Sequence, residues 1–219
     1  MQKLGILGGT FDPPHWGHLV MAEAAYSQMK LDGVLWVPSQ QPPHKLADNL
    51  SGFSRRVEWV RQTIEHRPEF FLSDVAACHR KNSYATDTLR DLQAIYPDSH
   101  WFWIVGLDTF QSLPRWYKCR EVAAACQWLV APRSPVPKAD PMETGGKTSD
   151  AAVNYETGQA CRDVARILND RSISIGWHVL AMPAIDISST LIRRYCREGR
   201  SIRYLVPESI RTEIETHLF

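Results

Sequence analysis

Two histidines three residues apart, His15 and His18, close the run Gly8-Gly9-Thr10-Phe11-Asp12-Pro13-Pro14-His15-Trp16-Gly17-His18. The run follows a short apolar segment, 4–7, and leads into a helical pattern. A strand that ends in glycines and feeds a helix N-terminus presents bare N–H groups and the positive end of the helix dipole, which suits phosphate. The histidines add side-chain donors, able to hydrogen-bond oxygens that gain charge during a transfer. Zinc ligation is a second reading, since i, i+3 histidines share a helix face, but no third or fourth ligand stands near them in sequence. Two structural histidines are the third. The preceding glycines and the small Gly17 between the histidines favour close approach of a ligand, and with it the phosphate reading.

The glycines do not make a dinucleotide fingerprint. That needs G-x-G-x-x-G and an acid after the second strand. Here the spacing is Gly5, Gly8, Gly9, and the second strand runs out as Val37-Pro38-Ser39-Gln40. A phosphate loop of the G-x-x-x-x-G-K-[ST] type is absent too.

Near the other end of the chain, Ser188, Ser189 and Thr190 are hydroxyls at a helix start, where caps belong. Arg193 follows one turn later on the same side and is able to clamp two phosphate oxygens. Its neighbour Arg194 points elsewhere and is expected in solvent. Lys45, in Pro42-Pro43-His44-Lys45, is a candidate cation for a triphosphate or a plain surface lysine. Gly106-Leu107-Asp108 follows an apolar run, so Asp108 is placed either to accept from ribose hydroxyls or to cap a helix. Trp116, beside Pro114 and Arg115, is either a core residue or a flat platform for a ring. Tyr84 and Thr86 open a helix.

These pieces must be carried by alternating strands and helices. Runs at 4–7, 34–37, 70–72, 101–105, 128–131 and 178–182 are short and dense in branched or aromatic residues, as in strands buried on both faces. Helical patterns lie at about 17–30, 54–66, 84–95, 118–126 and 156–169. Such alternation predicts an α/β fold with a mainly parallel sheet and helices on both faces. The Ser188 helix is expected to end at Gly199, and a last helix to begin at Pro207 with Ile210, Ile214 and Leu218 on one stripe. Segments 39–45 and 132–154 are expected as loops, the second long enough to move on binding. The expectation is one domain over 1–219, with a C-terminal helical portion at about 188–219.

Composition sets the outer bounds. The chain has 219 residues, 25 basic against 24 acidic, and a net charge of +1. No basic stripe marks a nucleic-acid or membrane surface. Cys78, Cys119, Cys126, Cys161 and Cys196 are scattered without a CxxC pair, which predicts reduced thiols in a cytoplasmic protein. Met1-Gln2-Lys3 leads straight into the first strand, so no secretory leader is expected, and no apolar run approaches the ~20 residues of a membrane span.

The run Gly8-Gly9-Thr10-Phe11-Asp12-Pro13-x-His15-x-Gly17-His18 resembles the H-x-G-H signature of the nucleotidylyltransferase superfamily. Ile187-Ser188-Ser189-Thr190-x-Ile192-Arg193 resembles its second signature, I-S-S-T-x-I-R. Pro42-Pro43-His44-Lys45, Ser83-Tyr84-x-Thr86-x-Thr88-Leu89, Gly106-x-Asp108, Leu113, Trp116 and Arg133 look like the bacterial nicotinate-nucleotide adenylyltransferases. The resemblance implies a Rossmann-like fold and adenylyl transfer from ATP to nicotinate mononucleotide, with magnesium arriving on the ATP. It assigns His15, His18, Lys45 and Arg193 to catalysis. ATP would be held by Gly8, Gly9, Thr10, Phe11, Gly106, Asp108, Ile187, Ser188, Ser189 and Thr190. The mononucleotide would meet Tyr84, Thr86, Trp116 and Arg133. The family commonly has Thr where this chain has Ala85, which leaves backbone N–H groups as donors to the nicotinate carboxylate. Arg133 is followed by Ser134-Pro135 where the family often has Pro-Gly. A homo-oligomer is compatible with all this. The rival readings are a nucleotidylyltransferase for nicotinamide mononucleotide, phosphopantetheine or a sugar or alditol phosphate, and a nucleotide-binding module without catalysis.

Overall fold

A computed structural model describes residues 1–40, 50–73, 75, 84–133, 150–183 and 185–217. Six strands form one parallel sheet: β1 (Gln2–Gly9), β2 (Gly33–Pro38), β3 (Phe70–Leu72), β4 (Ser99–Gly106), β5 (Gln127–Ala131) and β6 (Gly176–Val179). Their order across the sheet is β3-β2-β1-β4-β5-β6. This is the doubly wound arrangement, in which the chain leaves β1 in one direction and later returns on its other side at β4. The α/β expectation is met.

The central strands are apolar on both faces over most of their length because both faces are covered. On one face Leu4, Ile6, Trp103, Val105 and Trp128 pack with residues of α3 (Ala85–Ile95), α4 (Leu107–Ser112), α5 (Cys119–Ala123) and α6 (Asp150–Asn169). On the other Leu7, Val34, Trp36, Ile104 and Leu129 pack with α1 (Trp16–Met29) and α2 (Phe53–Ile64). A third cluster joins Trp59 of α2 to Ile192 and Cys196 of α7 (Ser189–Arg197) and to Ile210 and Ile214 of α8 (Glu208–His217). It seats the helix that carries Arg193 against the rest of the protein.

Two expected boundaries move. The last strand is Gly176–Val179 rather than 178–182. Leu180 N–H still bonds Val130 O at 2.9 Å, but the side-chain amide of Gln28 then takes both backbone groups of Ala181, at 2.9 and 3.0 Å, and the ladder stops. The sixth helix begins at Asp150, so the end of the expected 132–154 loop is helical. Val153, Thr157, Cys161, Val164 and Leu168 line its buried side, and Asp150 suits the positive end of the dipole. Residues 134–149 lie outside the described residues.

The other ends fall close to expectation. The Ser188 helix is followed by Gly199 with φ of +64°, a left-handed stop. Among the described residues no helix is long and apolar enough to cross a membrane. Cys119, Cys126, Cys161 and Cys196 are free thiols.

Candidate active site

The strand order reverses between β1 and β4, and ligands of open parallel sheets bind beyond the carboxyl ends of the strands at such a point. Gly8 and Gly9 end β1 beside Val37 and Pro38 of β2. Gly9 O accepts from Ser39 N–H at 2.8 Å. The chain then turns through Thr10 into Phe11, whose φ is +49°. A bulky residue in the left-handed region persists only where its surroundings over-determine it. Phe11 is held by burial: its ring lies 5.0 Å edge-on from that of His18 and 5.3 Å from that of Trp36. Its side chain is spent on that packing, which leaves only its backbone for a ligand.

His15 is the residue before the first turn of α1 and has extended backbone, with φ of −151°. Its N–H donates to His18 Nδ1 at 3.2 Å, and the two rings lie 3.8 Å apart. An imidazole nitrogen that accepts is unprotonated, so in neutral His18 the proton sits on Nε2, which becomes the donor. His15 is buried, and desolvation lowers its pKa to about 4. It is neutral at pH 7. Gly17 is required here by space: a Cβ would lie 2.9 Å from His15 Nδ1. The H-x-G-H spacing therefore packs two imidazoles against each other and leaves no room for a methyl group beside the His15 ring.

The opposite wall is α7. Ser188 caps it, its Oγ accepting from Leu191 N–H at 3.2 Å, which is the plain capping role. Ser189 Oγ donates to Pro13 O at 2.9 Å. Arg193 Nη1 donates to Asp12 O at 2.6 Å and lies 3.6 Å from Asp12 Oδ2. Arg193 Nη2 reaches Thr190 Oγ1 at 3.5 Å, and Ile187 packs on the C-terminal cluster. Residues 12–13 and 189–193, far apart in sequence, are thus one construction. Arg194 is exposed beside Glu198, as expected.

The remaining residues lie past β4 and β5. Gly106 precedes α4, and Asp108 stands inside its first turn rather than capping it. The exposed Asp108 carboxylate is ion-paired with Arg133, which follows β5. Tyr84 precedes α3 and its ring lies 4.6 Å from that of Tyr117, tilted by 37°. Thr86 is buried and its hydroxyl donates to Tyr117 O at 3.4 Å, so that hydroxyl is spent inside the protein. Its contribution to an acceptor site would be its backbone N–H, one of the first-turn donors a helix leaves free. Trp116 is half-buried, edge-on to Trp103 and Trp128 at 6.0 and 5.8 Å, and its indole N–H donates to Ser112 Oγ at 2.9 Å. The edge contacts are those of the core reading. Lys45 lies outside the described residues.

Three residues had no assigned role in the sequence reading. Asp12 is fully buried, with Ser51 N–H on its Oδ2 at 3.4 Å and Arg193 beside it. Tyr117 is exposed against Tyr84. Arg56 is 1 % exposed and is surrounded by main-chain carbonyls. A signal for Arg56 existed. With Trp59, Val60 and Ile64 it falls at i, i+3, i+4 and i+8 on the apolar stripe of its helix, and an arginine there must have buried partners.

Comparison with known proteins agrees with this geometry. The cytidylyltransferase-like family model matches residues 6–195. The chain is 45% identical over 217 residues to the probable nicotinate-nucleotide adenylyltransferase of Trichormus variabilis, covering 99% of this chain and 96% of that one. It is 34% identical to the enzyme of the same description from Desulfitobacterium hafniense, covering 98% and 93%. The chain belongs to the cytidylyltransferase-like family and, within it, to the nicotinate-nucleotide adenylyltransferases. Its fold is that of the Plasmodium falciparum nicotinic acid mononucleotide adenylyltransferase complexed with NaAD, with a TM-score of 0.73 at 16% identity, covering 100% of this chain and 97% of that one.

Proposed function

We propose that this enzyme transfers the adenylyl group of ATP to the phosphate of nicotinate mononucleotide, giving deamido-NAD and pyrophosphate. One observation carries the reading: Arg193 and Ser189 of the second signature bond Asp12 and Pro13 of the first, so the histidine corner and the arginine helix face one another at the β1–β4 switch point. The family relationship supports the acceptor.

In the reaction a mononucleotide phosphate oxygen forms a bond to the α-phosphorus of ATP. The bond from that phosphorus to the α–β bridging oxygen breaks, and its electron pair leaves on pyrophosphate. The nucleophile needs no general base, because a phosphomonoester with second pKa of about 6 is mostly dianionic at neutral pH. Alignment and charge stabilisation are then the whole task. The backbone at Gly8, Gly9, Thr10 and Phe11 would cradle phosphate oxygens, and His18 Nε2–H would donate to charge as it develops. Neutral His15 orders His18 and adds a donor of its own. Arg193 and Lys45 supply positive charge to the departing pyrophosphate. Asp108, near Gly106, would accept from a ribose hydroxyl, with Arg133 exchanging its carboxylate partner for substrate. Magnesium would enter on the triphosphate and neutralise its oxygens. Of the corner's own carboxylate, Asp12, Oδ2 lies beside Arg193 and Ser51 N–H and Oδ1 is buried without a hydrogen-bond partner among the described residues, so phosphates and water would supply most of the metal's ligands. We place the reaction in the cytoplasm, where the four described free thiols would stay reduced.

At the acceptor side neither Ala85 nor Thr86 offers a free side-chain hydroxyl, so the nicotinate carboxylate would rest on first-turn backbone N–H groups of α3, with the ring on Trp116. Purified protein with ATP, magnesium and nicotinate mononucleotide should release pyrophosphate, with a higher kcat/KM than for the amide mononucleotide. Turnover of neither would overturn the assignment. A preference for the amide would overturn the acceptor.

A further inference from the structure

We propose that Arg56 is the positioning residue of the triphosphate corner, clamping into one frame the turn at Thr10, the chain leaving β2 at Ser39 and Gln40, and the start of α2 at Ser51. The inference rests on the ATP site proposed above. It concerns a residue outside both end signatures.

The guanidinium is placed on four carbonyls. Nη1 donates to Thr10 O at 2.6 Å and to Ser39 O at 2.8 Å. Nη2 donates to Gln40 O at 3.0 Å, and Nε to Ser51 O at 2.9 Å. The planar fork of arginine has five donors fixed in space and matches several oxygens at once. A lysine ammonium cannot reproduce that pattern.

The acceptors matter more than their number. Thr10 lies directly after Gly8 and Gly9, whose backbone would cradle phosphate. In a trans peptide C=O and N–H point in opposite directions. Drawing the Thr10 carbonyl onto Arg56 therefore turns the Phe11 N–H away from it. A peptide held this way leaves its donor for a ligand and does not have to reorient when one binds. The same clamp helps hold Phe11 in its left-handed conformation. Ser39, Gln40 and Ser51 flank the segment that carries Lys45, so one side chain ties both of its ends to the glycine turn.

The charge is shared. Burial lowers the Arg56 pKa and Asp12 opposes that shift. Asp12 also lies beside Arg193. One buried carboxylate thus acts on both the guanidinium that frames the corner and the guanidinium of Arg193.

A purely structural role would lower stability without separating the two substrates. The test reads binding, so it stands apart from turnover. Calorimetric Kd values are measured for α,β-methylene ATP and for nicotinate mononucleotide on wild type, Arg56→Lys and Arg56→Ala, with folding checked by circular dichroism. Folded Arg56→Lys should bind the ATP analogue at least tenfold more weakly and the mononucleotide within twofold of wild type. Millimolar guanidinium, but not urea at the same concentration, should restore much of the analogue affinity of Arg56→Ala. Analogue binding within twofold of wild type in Arg56→Lys, or equal losses for both ligands, overturns the proposal. So does failure of both variants to fold whether or not guanidinium is present. A wild type that binds the analogue but releases no pyrophosphate removes the adenylyltransferase reading and leaves this test intact.

Discussion

In neutral His18 the proton stands on Nε2 because the His15 amide occupies its Nδ1. Removing one donor aimed at developing charge typically lowers kcat by about 10²–10³-fold. His18→Ala should fall in that range with a melting temperature close to wild type, read by pyrophosphate release and calorimetry. Unchanged kcat would remove His18 from the reaction. Gly17→Ala should shift the His15 ring and lower kcat by about 10–100-fold, as a small misplacement of reacting groups does. His15 makes a separate, pH-dependent prediction. Its pKa falls from 6.5 in the unfolded chain to about 4 in the fold, so the unfolded chain takes up the proton first as pH drops. The residue's full stability contribution is present above pH 6.5 and is lost as pH falls toward 4, an effect of up to about 3 kcal/mol. Melting curves of wild type and His15→Asn across that window should converge at low pH. Parallel curves would show that His15 is not the group responsible.

At the scale of elements, α7 is bound to the first signature by two side chains and capped by a third. The two neighbouring hydroxyls of Ser188 and Ser189 therefore separate in function. Ser188→Ala removes the cap and should cost about 1 kcal/mol of stability. Ser189→Ala cuts the bond to Pro13 and should raise the KM for ATP more than that for the mononucleotide. Equal effects of the two variants on both readouts would show that the hydroxyls act only as caps. Similar logic explains what was legible in the sequence. Elements with clear period appeared where expected, and β6 moved because Gln28, on a distant helix, ended its ladder. No pattern within residues 176–182 announces a competitor for hydrogen bonds 153 positions away.

At the scale of the molecule, Arg193 reaches the corner only because the third cluster seats α7 and α8 on Trp59 of α2. Deleting a large buried aliphatic side chain typically costs about 2–5 kcal/mol. Ile210→Ala should lose stability in that range, read by denaturant unfolding. At temperatures where the variant remains folded its kcat should fall less than that of His18→Ala, since Ile210 acts on α7 only through the cluster it shares with Ile187 and Ile192 of the second signature.

The sequence by itself determined the strand–helix alternation, the α/β class and the two signatures, because periodicity and short motifs are local properties of the chain. It also determined which atoms are available for chemistry: two imidazoles, a guanidinium and a glycine turn. Only the tertiary structure decided which of them are free. It spent the Thr86 hydroxyl on Tyr117 and set Ser188 to capping. It packed part of Trp116 on the core and drew Arg56 inside. The physical reason is the same each time. A buried polar group must be satisfied, and its partner is whichever distant segment the fold brings within about 3 Å.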